Sequence, residues 1–128
     1  MITKNINLTI QGEEAVLSQK IVLFRNDDGI RLQFKIQQTQ YKFDKTPIDL
    51  VNVFNAQSSN ILVVKPNKQY FTTELEDINN NIVVFVINKD MIDELEELGE
   101  YSLQIHLYDN SNNRLTLPPV KFLVKDTI

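Results

Sequence analysis

His106 is the only imidazole in the chain, and there is no cysteine. Histidine titrates nearest to neutral pH, so acid–base chemistry is sought there first. His106 stands between Ile105 and Leu107, on the polar phase of an alternating stretch. That position suits a surface or interface histidine. No nearby serine or threonine suggests a triad, although a triad is defined by geometry and not by order. The absence of cysteine removes a thiolate nucleophile, a disulfide framework and cysteine-based metal sites. One histidine cannot build a His-rich metal centre.

The carboxylates read as structural. Asp27 and Asp28 fall in a turn signal, Asn26-Asp27-Asp28-Gly29. Asp93, Glu94, Glu96 and Glu97 read as the solvated face of a short helix. No spacing aims two carboxyl groups at one another, as glycoside hydrolysis requires. The run Asp109-Asn110-Ser111-Asn112-Asn113 offers oxygens at the first, third and fifth positions of a calcium loop. Its sixth position is Arg114 and its twelfth is Val120, where an EF-hand needs glycine and glutamate. A polar hairpin loop is the reading that remains.

The three glycines, Gly12, Gly29 and Gly99, are too scattered to cradle a phosphate. Tyr41-Lys42-Phe43 could stack on bases or sugars. A net charge of −4 and a pI near 4.9 oppose nucleic acid, which calls for a basic face. The absence of tryptophan lowers the sugar reading. Asn7-Leu8-Thr9 matches a glycosylation acceptor, but it lies on a strand with no export signal before it. The expectation is a protein with no catalytic residues, no cofactor and no metal.

The elements that would carry these residues repeat with a period of two. Ile6, Leu8 and Ile10 alternate with polar residues, as do Ile30, Leu32, Phe34 and Ile36, and Tyr101, Leu103, Ile105 and Leu107. Successive side chains on a strand point to opposite faces, so each stretch predicts one buried and one wet face. Residues 61–64 and 82–87 are apolar throughout and β-branched, which predicts strands covered on both faces. Turn signals separate these runs at 26–29, 66–68, 79–81 and 109–113. At 128 residues with 42% hydrophobic content, one domain with a real core is expected. No apolar run reaches the roughly 18 residues of a membrane span. The predicted class is all-β, an antiparallel β-sandwich with strands at near-regular spacing.

One window departs from the period of two. Residues 90–98 predict a short helix or a single turn, with Asp90 as cap, Met91, Leu95 and Leu98 on one face, and Gly99 at its end. Glu96, Glu97 and Glu100 crowd the negative end of its dipole and keep it short. Pro118-Pro119 predicts a last strand broken into 115–117 and 120–124, with the prolines at an edge or a bulge. The order Glu97, Gly99, Tyr101 at the head of an alternating strand fits the corner of immunoglobulin-like sandwiches. There a tyrosine hydroxyl bonds back to an upstream backbone group. Gly99 and Tyr101 are the structural residues so predicted.

The order of features resembles a known family. Residues 19–36, QKIVLFRNDDGIRLQFKI, read strand, polar turn, strand. Pro47-Ile48-Asp49-Leu50 follows a polar stretch, and a hairpin surrounds Lys65-Pro66-Asn67. INNNIVVFVI, the acidic link, GEYSLQIHLYDNSNNRL and VKFLVKDTI complete the chain. This order resembles the N-terminal domain of the phage baseplate upper protein family, found in tail proteins of phages of Gram-positive bacteria. The resemblance covers nearly the whole chain and is most specific from residue 81 to residue 128. The turn after Lys65-Pro66-Asn67 lacks the expected glycine, and the Pro118-Pro119 spacing is unusual.

The resemblance carries no catalytic motif. It implies that residues 1–128 form one immunoglobulin-like baseplate module, the N-terminal domain of a longer protein. That module attaches a host-recognition protein to the baseplate by protein–protein contact. The implied place is the virion, assembled in the host cytoplasm. The implied partners are other baseplate or tail proteins and further copies of the chain, with no nucleic acid and no membrane. The contact edge is expected opposite Pro118-Pro119 or on the N-terminal strand around Ile6 to Ile10. The rival readings are a carbohydrate- or cell-surface-binding sandwich and, behind it, a small hydrolase.

Overall fold

The computed structural model describes residues 1–40, 44–91 and 93–126. Among these residues the strands are β1 (Ile2–Gln11), β2 (Glu14–Leu17), β3 (Ile21–Phe24), β4 (Ile30–Gln40), β5 (Asp44–Pro47), β6 (Asn60–Val64), β7 (Tyr70–Glu74), β8 (Asp77–Asn79), β9 (Ile82–Ile87), β10 (Gly99–Tyr108), β11 (Arg114–Thr116) and β12 (Val120–Lys125). They form two sheets. The first has the order β2-β1-β4-β9-β8, with β5 also on β4. The second has the order β3-β12-β10-β6-β7, with β11 also on β10. The chain is an all-β sandwich. Among the described residues no helix is long and apolar enough to cross a membrane.

The alternating stretches supply the core. Ile6 and Leu8 from β1, then Leu32, Phe34 and Ile36 from β4, face Leu103, Ile105 and Leu107 from β10. Val83, Phe85 and Ile87 extend the first layer, and Ile61, Val63, Phe122 and Val124 extend the second. The register Ile6↔Phe34 and Phe34↔Val83 keeps these positions in rows across the first sheet. Every second residue is thereby removed from water, which is the main favourable term in folding.

Three expectations change and one, the third below, narrows. First, the sheets are mixed. β1 runs parallel to β4 and β3 parallel to β12, because the chain crosses between the layers at residues 18–20 and again between β3 and β4. Second, β6 and β9 are not covered on both faces. Leu62, Val64, Ile82 and Val86 are only half-buried, since a two-layer sandwich has no third layer to cover them. Third, of the edge or bulge expected at Pro118-Pro119 the structure has the bulge. β11 and β12 both pair with β10, and from His106↔Thr116 to Leu103↔Val120 three steps on β10 face four on the other strand, so one extra residue sits at the prolines. Fourth, the segment Ile6 to Ile10 is no free edge. Leu8, Thr9 and Ile10 pair with β2 on one side and β4 on the other.

The helical window resolves into two 3-10 turns, Lys89–Met91 and Asp93–Leu95. The cap is Asn88 rather than Asp90. Its side-chain oxygen accepts the Asp90 N–H at 3.0 Å, and its carbonyl accepts the Met91 N–H. Met91 and Leu95 are buried, but Leu98 is 43% exposed, since the second turn ends at Leu95 and no helical face continues to residue 98. The turns keep their expected chemistry. Asn26, Asn80 and Asn112 all take positive φ, the conformation asparagine tolerates best after glycine. The glycine expected after Lys65-Pro66-Asn67 is replaced by Lys68 at φ 75.

Candidate functional site

A cluster of polar contacts joining distant parts of the chain lies where the β6–β7 hairpin meets the 3-10 link. Lys65 Nζ pairs with Glu94 Oε2 at 2.6 Å, and it sits 5.7 Å from the centre of the Phe71 ring. The Asn67 N–H donates to Glu97 Oε2 at 3.3 Å. Tyr101 Oη donates to the Glu97 carbonyl at 2.6 Å. Glu94 and Glu97 therefore bind the hairpin, where the sequence suggested a solvated face. Pairing between hairpin and link spans about thirty residues of chain, and no local pattern could reveal it.

Tyr101 is 0% exposed, and its ring stacks on Phe122 with centroids 5.0 Å apart. Burial, and then the Glu97 carboxylate, push its hydroxyl up to about 12. The neutral phenol is thus the form that donates. Gly99 opens β10 at φ 128, and a Cβ there would lie 3.3 Å from Pro66 Cγ. A side chain at this position would be strained by the backbone and tight against the hairpin. Gly99→Ala is expected to cost more than about 1 kcal/mol, read as a lowered denaturant midpoint.

The other candidate residues do not converge. His106 Nε2 lies 3.2 Å from Gln104 Oε1 on the outer face of the second sheet. Burial, and then the Arg114 guanidinium, lower its pKa, so the neutral ring prevails near pH 7. Asp109 spends its carboxylate on its own loop. It accepts the N–H groups of Ser111 and Asn113, each at 2.9 Å, and Asn113 Nδ2 at 3.1 Å. These bonds hold its pKa below the usual carboxylate range. They close an Asx-type turn, the ordinary role of aspartate in a hairpin loop. The Asp27 carboxylate also serves its own turn, accepting the Phe24 N–H at 3.0 Å. Thr9 of the acceptor-like triplet is buried and takes a hydrogen bond from Gln37 Nε2 at 2.9 Å. Tyr41-Lys42-Phe43 lies outside the described residues. Among the described residues no cluster of three or more histidine or acidic side chains could hold a metal ion.

The concave surfaces are open grooves. One of about 660 Å³ runs beside β2 and β12 and is lined by Leu17, Ile21, Pro119 and Phe122 among others. A second, of about 680 Å³, is polar and lies at the hairpin–link junction beside Lys65, Asn67, Glu94 and Glu97. Neither contains an aligned set of nucleophile, base and oxyanion donors, which together would mark an acyl- or glycosyl-transfer site.

No family model matches the chain, and no curated protein matches it by sequence. A solved structure does match. The N-terminal domain of phage TP901-1 ORF48 superposes with a TM-score of 0.66 over 98% of this chain and 99% of that one. The two share a fold. Their sequences are 10% identical, so the likeness lies in architecture and not in particular side chains. Coverage of nearly the whole length of both means that no large insertion separates them.

Proposed function

We propose that the chain is a virion structural module of a phage tail, an immunoglobulin-like baseplate domain that works by protein–protein contact. The end-to-end match to a phage domain of the same length carries this reading. The order of features over residues 81–128, which resembles the phage baseplate upper protein family, agrees with this reading. In this role the domain attaches a longer host-recognition protein to the baseplate. The matched domain is itself an N-terminal one, which supports residues 1–128 as the N-terminal domain of such a protein. The partners are other tail proteins and further copies of the chain, the place is the virion, and assembly occurs in the host cytoplasm. There is no turnover; a rigid sandwich presents edges and loops, and burial and hydrogen bonding do the rest.

Gly99 and Tyr101 serve this module as a structural corner that holds the link against the β6–β7 hairpin. The functional test is co-purification of the chain with tail proteins of its own gene cluster. The expected result is a stable complex with at least one of them. Retention on cell-wall polysaccharide, with no tail protein bound, would replace this reading by the carbohydrate-binding one. Deleting Met1 to Gln11 is no test of the contact face, because it removes β1 with Ile6 and Leu8 from the core.

A further inference from the structure

β7 ends the strand order of the second sheet, and no strand neighbours its outer edge among the described residues. The hairpin geometry says which groups face outward. The Lys65 N–H donates to the Gln69 carbonyl at 2.8 Å. Antiparallel strands exchange bonds at every second pair. With Val63 opposite Phe71 and Ile61 opposite Thr73, the backbone groups of Phe71 and Thr73 turn toward β6. Those of Tyr70, Thr72 and Glu74 turn outward. The side chains of these last three residues are exposed, Tyr70 by 71%.

The other outer strands are short or blocked. β8 has three residues and β2 has four. At β3 the Lys4 ammonium donates to the Val22 carbonyl at 3.2 Å, which sets a charge against that edge. β7 is the longest of these edges, and its one charge, Glu74, stands at its end. It contains no proline and no lysine, and its register has no bulge. Its sequence, YFTTE, is rich in strand-forming residues.

We propose that β7 is a self-pairing edge, by which two copies of the chain join antiparallel about a two-fold axis at Thr72. In this register Thr72 faces Thr72 of the second copy, and Tyr70 faces Glu74. All three outward-facing residues of each copy then find backbone partners. An axis moved to Glu74 would leave fewer bonds and set two carboxylates face to face, which is unfavourable. The pairing makes one continuous sheet from the second sheets of both copies. It has the isologous symmetry commonest in homodimers. The inference rests on the edge itself and is independent of the phage reading.

A cysteine scan tests it directly, because the chain has no cysteine of its own. Residues opposite one another at a bonded antiparallel pair have Cα atoms about 5.5 Å apart, within the span of a disulfide. Oxidised Thr72→Cys is expected to run as a covalent dimer. Tyr70→Cys, whose opposite residue is Glu74, should give about tenfold less dimer or lower still. Thr72→Lys and Thr72→Glu each set like charges across the axis, and sedimentation should show association weakened about tenfold or more for either alone. An equimolar mixture of the two should restore it. Circular dichroism checks that each variant stays folded, as expected for changes at an exposed edge position. Equal crosslinking at positions 70 and 72, or none at 72, would overturn the proposal. So would a mixture that associates no better than its separate components, or a wild-type chain that stays monomeric at every concentration reached.

Discussion

Phe34→Ala is expected to destabilise the sandwich by about 3–5 kcal/mol, the usual cost of emptying a buried phenylalanine site. Phe34 is 0% exposed and sits at the middle of the first sheet. Its neighbours in register are Ile6 on β1 and Val83 on β9. Strands pair on both sides of it, so the backbone cannot move in to fill the space. The side chains of the facing sheet are themselves large and already packed. A domain of this kind has a total stability of only about 5–15 kcal/mol, so the loss is a large share of the whole. Chemical denaturation should show a much lower midpoint with an unchanged slope. A midpoint within experimental scatter of wild type would mean that Phe34 does not occupy the core.

Tyr101→Ala should cost a comparable amount, about 3–5 kcal/mol, and the smaller change Tyr101→Phe separates the two contributions. Phenylalanine keeps the stack on Phe122 but loses the hydrogen bond to the Glu97 carbonyl. The expected loss is about 0.5–1.5 kcal/mol, the net worth of one hydrogen bond. The pH dependence follows from the raised pKa. Tyrosine ionises at 10.0 in the unfolded reference and at about 12 in the fold. Above pH 10 the unfolded chain gives up a proton that the folded chain keeps, which favours unfolding. The contribution of the hydroxyl is therefore fully present below pH 10 and is lost as pH rises through 12. Stability curves of wild type and Tyr101→Phe should run parallel near neutrality and approach each other above pH 10. If the gap between them stays constant to pH 12, the hydroxyl is not held in its neutral form.

Much of this arrangement could be read from residue order. Alternation marks which side chains of β1, β4 and β10 face the core, because a strand reverses its side-chain direction at every step whatever its neighbours do. Turns at Asn26, Asn80 and Asn112 were legible because left-handed backbone has few suitable residues. The broken last strand was legible because proline has no N–H to donate. Gly99 and Tyr101 could be singled out as a local pair for the same kind of reason: both ends of the motif lie within a few residues.

Long-range partnerships were not legible. Nothing in β1 announces that it pairs parallel with β4, since a strand has the same alternation in either direction. The acidic link looked like a solvated helix face because its partners, the Lys65 ammonium and the Asn67 N–H, come from a hairpin far back in the chain. Proline at 118 and 119 suggested an edge or a bulge, and that it is a bulge opposite β10 depends on which strand β11 and β12 share as a partner. The exposed edge of β7 emerges in the same way. Sequence composition and period settle an all-β chain with a defined inner face and defined turns, because those properties are local to each strand. Layer crossings, strand neighbours and free edges depend on which distant segments meet, and that is settled by the packing of the two sheets as a whole.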